Sequence, residues 1–596
     1  MAQQYEVTFW PEGKRVTVAE GTTLLAAARQ GGVILEAPCD GCGTCGKCRV
    51  RTSGMLSSPD ELETERLADT LAEGIRLACR ARVCGPVQAE ILLDRIDTFV
   101  ALAGGQGAQW PFDPSVRKVI FSSRVDAEGC ALDNDAPALF AQADPPMLQE
   151  LAAAYDKGRS HYGAIVKNAR VLDWVQPGQA YYGVAVDLGT TSVVAELCDL
   201  DNGESMGTGA CLNPQTDCGG DVLTRIAFAS QNPEGTALLQ KKIVAGLNRL
   251  IDQLTAARQL RNEDIYEFVI VGNTTMLHLL LGVNPRSLAR APYRPVFKRY
   301  MEISPASLGL YMAPRGVVTI LPSAAAFVGA DILAGLTAVG LHRRRTTVLF
   351  IDIGTNGEIV VCKDGLLVGA SSAAGPALEG MNISCGCRAE RGAIESVAIA
   401  HDGTVRIKTI GNTPPRGLCG SGLIDLVAEL VRCKVLEVNG RFAKPEKLPP
   451  PLAARLVKIN NQPAFMVAEE GAVYLSQKDV RQVQLAKGAM AAAINLLLQD
   501  LNIEFTNITE ILVAGAFGFH LKPSSLVGIG LFVADCQHKI RFVGNTAQEG
   551  AKAALLNRQA GREIVKIGQR IKIRELSQHP AFQDFFVKAL AFPSPL

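Results

Sequence analysis

Two stretches of this chain read alike, and together they restrict its fold more than any other feature. Val184-Ala185-Val186-Asp187-Leu188-Gly189-Thr190-Thr191-Ser192 is an apolar strand running into an aspartate and a small-residue turn. Val348-Leu349-Phe350-Ile351-Asp352-Ile353-Gly354-Thr355-Asn356-Gly357-Glu358 repeats the plan about 165 residues later. A strand-end aspartate can hold Mg²⁺ through water, and the glycine lets backbone N–H groups approach phosphate. One copy alone would be an ordinary buried strand with a turn. Two copies predict a duplicated fold that clamps phosphates between its halves. The texture of apolar strands, glycine turns and long helices persists from Tyr182 to the end, so residues 181–596 read as one α/β unit with halves at about 181–340 and 341–596. No GxGxxG follows an early strand in this unit, which argues against a dinucleotide-binding fold.

The front of the chain is built differently. Residues 5–10 alternate as a strand, Pro11 to Lys14 turn, and Arg15 to Val18 return, giving a hairpin. Thr22 is the candidate N-cap of a short helix over 23–29, which Gly31-Gly32 ends. A last strand lies near Val87 to Leu92. Hairpin, helix, then a cysteine-rich loop is a β-grasp order, placed over residues 1–94.

That loop reads Cys39-Asp40-Gly41-Cys42-Gly43-Thr44-Cys45-Gly46-Lys47-Cys48, with Cys79 far downstream. The chain has 16 cysteines, six of them in the first 84 residues and four within ten residues, a clustering that favours metal over disulfides in a reducing compartment. Two ligand sets are open. Cys39, Cys45, Cys48 and Cys79 approximate the plant-type spacing, with one extra residue in the first gap; Cys39, Cys42, Cys45 and Cys48 approximate the bacterial [4Fe–4S] run, without its wider last gap and following proline. The β-grasp pattern favours the first set and leaves Cys42 as a spare thiol on the rim. Glycines 41, 43 and 46 let the backbone wrap a small cluster and aim N–H groups at its sulfurs. A zinc ribbon would need a second CxxC, which Cys79 and Cys84 do not provide.

Composition excludes several function classes. Sixty Lys+Arg against 59 Asp+Glu give no footprint for nucleic acid or an anionic membrane surface. The first residues lack the basic stretch and apolar core of a secretory signal. The most apolar span, Ala324 to Leu341, is interrupted by Asp331 and glycines, so no transmembrane helix is expected and the default location is the cytoplasm. Residues 95–115 read as a Gly- and Pro-containing linker, and 116–180 as a small α+β middle domain with a helix near Leu148 to Ala154.

The motif order of the large unit resembles the actin/sugar-kinase/chaperone ATPase superfamily, whose halves are ribonuclease-H-like. Asp187-Leu-Gly-Thr-Thr resembles its first phosphate motif, Leu321-Pro322-Ser323-Ala324-Ala325-Ala326 its first connecting motif, Asp352-Ile-Gly-Thr-Asn its second phosphate motif, and Ile511 to Gly518 its adenosine motif. The resemblance implies phosphate and nucleotide contacts from Gly189, Thr190, Thr191, Gly354, Thr355, Asn356, Gly515 and Ala516, with Asp187 and Asp352 at the Mg²⁺. It also places Lys487, on a helix over Val480 to Leu501, near the nucleotide. Chaperone relatives carry a glutamate where this chain has Leu321, so the hydrolytic base is not located; Glu358 and Glu379 are candidates. His278, on an apolar helix, reads as a core histidine, and Cys385 and Cys387 read as structural thiols.

Four further segments sharpen the match: Asn213 to Ile226, Val271 to His278, Gly375 to Gly386 and Gly417 to Asp425. With the N-terminal cysteine loop, which is similar to [2Fe–2S] ferredoxins, they resemble the reductive activators of corrinoid proteins. That resemblance implies a [2Fe–2S] cluster on Cys39, Cys45, Cys48 and Cys79, ATP with Mg²⁺, an external low-potential electron donor, a homodimer, and a Co(II) corrinoid protein as partner. A plant-type cluster lies near about −400 mV, the target couple lies lower, and each 100 mV uphill costs about 2.3 kcal/mol per electron. The expected activity is ATP-dependent return of Co(II) to Co(I). Two other expectations use the same parts: an activator of a different low-potential enzyme, and a nucleotide-gated redox-sensing binding module.

Overall fold

The computed structural model describes residues 3–10, 13–31, 33, 35, 48–91, 110–122, 145–156, 161–168, 170–469, 472–515, 521–576 and 579–594. Cys39, Cys42, Cys45 and Ala516 lie outside the described residues.

The front sheet has five strands in the order Lys14–Ala19, Gln4–Trp10, Val83–Ile91, Arg49–Leu56, Ile75–Leu77. Gln4–Trp10 pairs antiparallel with its hairpin partner and parallel with Val83–Ile91. The latter strand alternates buried and exposed along its whole length, the period-2 pattern of a sheet with one face on a core. The helix Leu24–Gln30 covers that core, which includes Phe9, Leu24, Val50 and Leu77. Its N-cap is Thr23, not Thr22: the Thr23 hydroxyl accepts from the Ala26 N–H at 3.2 Å. Thr22 is held back in the sheet, where its carbonyl accepts from the Val83 N–H at 2.9 Å.

Behind it, Val116–Ser122, His161–Lys167 and Arg170–Val175 form a three-stranded antiparallel sheet, with the helix Pro145–Asp156 alongside. It is riveted to the large unit by buried charge. The Lys167 ammonium meets the Glu267 carboxylate at 2.6 Å and the Thr319 hydroxyl at 2.8 Å, and Ser115 donates to Glu267 at 2.6 Å.

The duplication is explicit in the sheets. The first is ordered Ser205–Leu212, Ser192–Asp199, Tyr182–Leu188, Ile265–Gly272, Val317–Ile320, Met301–Ile303. The second is ordered Leu366–Ser372, Gly357–Lys363, Val348–Ile353, Glu510–Ala514, Ile540–Gly544, with Lys572–Arg574 beyond Leu366–Ser372. In each, the motif strand is antiparallel to its successor on one side and parallel, on the other, to a strand that arrives much later. The motif strands Tyr182–Leu188 and Val348–Ile353 are almost wholly buried, as strands covered on both faces must be.

Two helices join the halves. Ala330–Ala338 follows the first sheet's parallel strands and Thr546–Leu556 follows the second's. They approach at glycine: a side chain at Gly550 would fall 2.2 Å from the Ala334 carbonyl, and one at Gly335 would fall 2.6 Å from the Thr546 hydroxyl. Thr546–Leu556 also crosses onto the first half, where Gln548 donates to the Ala185 carbonyl at 3.2 Å. A shift of either half is therefore transmitted to the other.

Candidate nucleotide cleft and cluster seat

The two motif strands end facing each other. Asp187 lies beside Val271, and Asp352 beside Ala514, in parallel register. Each neighbouring strand then runs into a glycine, for the same reason in both halves. A side chain at Gly272 would stand 2.6 Å from the Leu188 carbonyl; one at Gly515 would stand 2.6 Å from the Ile353 carbonyl. Gly515 also has φ +127°, which non-glycine residues avoid.

The first turn is braced from below. Asn213 donates to the Gly189 carbonyl at 2.8 Å, and its own N–H donates to the Thr191 carbonyl at 2.9 Å. Arg225, fully buried, donates to the Thr190 carbonyl at 2.6 Å and the Gly219 carbonyl at 2.9 Å. Burial lowers its pKa to about 10. Asn273, the N-cap of the helix Thr274–Leu280, donates to the Thr190 hydroxyl at 2.8 Å. The second turn is tighter: the Gly354 N–H donates to the Asn356 carbonyl at 3.0 Å, and the Thr355 hydroxyl donates to Glu379 at 3.4 Å.

Five carboxylates share the cleft, and desolvation is the largest cause raising the proton affinity of each. Desolvation pushes Asp187 up to about 6, against a hydrogen bond from Asn545 at 2.9 Å that lowers it. Desolvation and then the Asp187 charge push Asp352 up to about 7. Asp331, at the start of the helix Ala330–Ala338, rises to about 8 through desolvation and the charge of Asp187. Glu379 rises to about 7, mainly by desolvation, and Glu358 rises well above its ordinary value for the same reason, with Asp331 and Asp352 adding to it. Among the described residues, Arg388 lowers the proton affinity of Glu379. Such a concentration of negative charge invites a cation. Among the described residues no three metal-binding side chains converge on one point, so an ion here would depend on water and on a ligand's oxygens, as Mg²⁺ does with phosphates.

Asp331 and Asn545 were missed by sequence reasoning. Asp331 did leave a signal, as the lone charge in an apolar span. Asn545 sits between a strand and a helix it caps, a position ambiguous without the sheet order. Lys487 is not brought to this cluster. Its ammonium donates to the Ala591 carbonyl and lies 5.2 Å from the centre of the Phe592 ring, and burial pulls it down to about 8. The helix Gln477–Asp500 turns that side chain towards the C-terminal segment, where a buried ammonium finds a carbonyl. His278 is a satisfied core histidine: Nε2 accepts from the Val296 N–H at 3.1 Å, so Nδ1 carries the proton to the Thr274 carbonyl at 2.7 Å. Cys387 packs with Cys419, Ala393 and Ile410 in a small apolar cluster.

Two tests of the cleft follow. Asp331→Asn should leave stability nearly unchanged below about pH 4 and make the nucleotide-free protein increasingly more stable than wild type as the pH rises towards about 8. A carboxyl whose folded pKa is raised stabilises below its unfolded value near about 4 and loses that contribution as pH climbs through the folded value. Thermal melts across that range check it. Asn545→Ala removes the donor that holds Asp187 down, so the acidic limb of the ATP-hydrolysis pH profile should move to higher pH. Loss of the cap should also cost about 1 kcal/mol of stability.

In the front domain, Cys48 and Cys79 come together. Both are buried, and the Cys79 N–H points at the Cys48 Sγ at 3.4 Å. An N–H donated to sulfur is the stabilisation a thiolate ligand uses, so this pair fits an iron–sulfur seat. The strand Ile75–Leu77 that delivers Cys79 is anchored by Glu63. Its carboxylate accepts from Arg76 Nε and Nη2 at 2.8 Å each and from the Leu77 N–H at 2.7 Å, with Glu63 1% and Arg76 8% exposed. Glu63→Ala would strand a buried guanidinium, at about 3–5 kcal/mol. Its front domain should melt earlier and bleach faster, with the ATPase melt unchanged. The front domain also touches the large unit: Arg29 donates to the Asp217 carbonyl at 2.7 Å, four residues beyond Asn213.

Three family models match the chain: "2Fe-2S iron-sulfur cluster binding domain" over residues 8–84, "RACo middle region" over 182–344, and "C-terminal domain of RACo the ASKHA domain" over 346–595. The corrinoid activation enzyme RamQ of Eubacterium limosum is 32% identical over 579 residues, 94% of each chain. The Co(II) methylated amine-specific corrinoid protein reductase of Methanosarcina barkeri is 24% identical over 443 residues, 69% of this chain and 77% of that one. A solved structure titled as the reductive activator for corrinoid,iron-sulfur protein superposes with a TM-score of 0.75 at 31% identity, covering 99% of this chain and 98% of the other. With a cysteine seat in front, a duplicated nucleotide-type cleft behind, and similarity running nearly end to end, the chain belongs to the family of reductive activators of corrinoid proteins.

Proposed function

We propose that this chain is an ATP-dependent activator that returns the Co(II) form of a corrinoid protein to Co(I). The observation that carries the reading is one polypeptide joining a seat for a one-electron centre to a two-sided cleft of strand-end carboxylates, with a corrinoid activation enzyme similar over 94% of both chains. Bound on Cys39, Cys45, Cys48 and Cys79, a [2Fe–2S] cluster would supply a single low-potential electron, loaded by an external donor. The Cys79 N–H holds charge on the Cys48 sulfur, and Glu63 fixes the strand that positions them.

In the rear, Asp187 and Asp352 would hold a Mg²⁺ through its water shell, and the bound ion would supply positive charge against theirs. The turns Gly189 to Thr191 and Gly354 to Asn356 offer N–H and hydroxyl donors to the nucleotide's phosphates, and Gly515 leaves room beside them for the nucleoside, which Ala516 would also contact. Phosphate does not enter the electron path. ATP therefore acts through shape and complex stability: nucleotide pulls the two turns together, and the helices crossing at Gly550 carry that closure between the halves. The closed form grips the partner and favours its reduced cobalt; hydrolysis opens the cleft and releases it. The contact of Arg29 with Asp217 gives the front domain a share in that movement. The active unit is a homodimer.

The test is anaerobic. Protein reduced with titanous citrate is mixed with Co(II) corrinoid protein, with and without Mg-ATP, and Co(I) is followed optically. Reduction that requires ATP is expected; an equal rate without nucleotide would discard the reading.

A further inference from the structure

Between Asn284 and Met301 the chain carries five cations, Arg286, Arg290, Arg294, Lys298 and Arg299, and no acid. All five are exposed. In a chain of net charge +1 this is a local excess of positive charge. No side chain of Arg286, Arg290, Arg294 or Arg299 has a hydrogen-bond or ionic partner among the described residues, and Lys298 only donates to the Ala324 carbonyl at 3.3 Å. The strap is nevertheless held in place from beneath. His278 accepts from the Val296 N–H and stacks on Phe297 at 4.3 Å, and Tyr293 meets Phe327 edge-on at 5.4 Å. With the turn Ala324 to Ala326 it encloses an open cavity of about 670 Å³ that no acidic residue lines.

We propose that this strap is the docking surface for an acidic segment of the corrinoid protein, an assignment that rests on the function argued above. Ordered cations without counterions attract an oppositely charged partner from a distance and fix its orientation. The neighbouring side chains favour a protein over a small anion. Arginine and tyrosine interleaved with an exposed Val296, 64% accessible, is the mixture that protein interfaces use for anchoring. The strap offers spread side chains rather than the convergent backbone N–H groups of a phosphate nest.

The cavity wall is also wired to the cleft. The Thr274 hydroxyl donates to the Ala325 carbonyl at 2.6 Å, and the preceding Asn273 donates to the Thr190 hydroxyl of the first phosphate turn. Gly329, three residues beyond Ala326, lies so close to Asn273 that a side chain there would fall 2.5 Å from its Cα. A partner seated on the strap therefore presses on the segment that carries Asp331 into the cleft. By linkage, nucleotide and partner then alter each other's affinity by one common factor.

The experiment uses the full chain and a purified Co(II) corrinoid protein that the wild type reduces. Binding is measured by calorimetry for R294E/R299E and for the milder R294Q/R299Q, which guards against misfolding of the first. Affinity should fall on the order of tenfold or more at low salt for the reversal and less for the neutral pair. The difference should shrink at high salt, as exposed charges are screened. ATP hydrolysis without partner should stay at the wild-type rate, and poly-L-glutamate should compete with the corrinoid protein on the wild type alone. Wild-type affinity in both variants would overturn the proposal, as would sulfate abolishing the difference where chloride of equal ionic strength does not, which would mark a small-anion site. A wild type that reduces no corrinoid protein would instead refute the function, and would be seen before any variant is made.

Discussion

Asp352→Asn should cut ATP turnover by about two to three orders of magnitude while leaving the protein folded and its iron–sulfur centre intact. The substitution keeps the shape of the strand end and removes the charge that orients a metal-bound water shell. Losing a charge aimed at the reacting phosphates costs on the order of 10²–10³-fold in rate. The fold should tolerate it, because the Asp352 carboxyl already binds its proton at about 7 under desolvation and the charge of Asp187. Asparagine imitates that neutral form. Steady-state hydrolysis, a thermal melt and a visible spectrum measured on one preparation separate these effects. Co(I) formation should fall in parallel with hydrolysis. Loss of Co(I) formation with hydrolysis intact would place Asp352 outside the nucleotide chemistry.

Cys79→Ser should give the opposite pattern: a colourless protein with intact ATP hydrolysis and no electron delivery. Cys79 is the residue on which the two ligand sets part. If Cys39, Cys45, Cys48 and Cys79 hold the iron, its loss removes a ligand that lies against Cys48, and Cys42→Ser is harmless. If Cys39, Cys42, Cys45 and Cys48 hold it, the outcomes reverse. Iron and sulfide counts with EPR of the reduced variants report which set is used, and two irons per chain are expected from the domain matched at residues 8–84.

What was legible in the sequence follows the range of the forces involved. The repeated strand, aspartate and glycine turn is a local pattern, and both copies lie between an antiparallel successor and a parallel strand from later in the chain. The β-grasp order was legible for the same reason, down to a one-residue error at Thr22, which the sheet claims for its own hydrogen bonds. His278 was readable because an apolar helix leaves a histidine few roles but a satisfied core one. The missing pieces are non-local. Asp331 and Asn545 reach the cleft only because two helices from different halves cross there. Lys487 shows the converse: helical periodicity gives the face a residue occupies, but not which segment packs on it, and here the segment at Ala591 and Phe592 does so.

Activation as proposed requires coupling between nucleotide in the rear and one electron leaving the front. The most direct measurement is the ratio of Co(I) formed to ATP consumed, with pre-reduced protein in limiting amount and a Co(II) corrinoid protein in excess. A fixed ratio that holds as ATP is varied, with Co(I) formation ceasing when ATP runs out, is the predicted result. Hydrolysis that proceeds with no net electron delivered would contradict it and leave the chain a nucleotide-gated redox sensor.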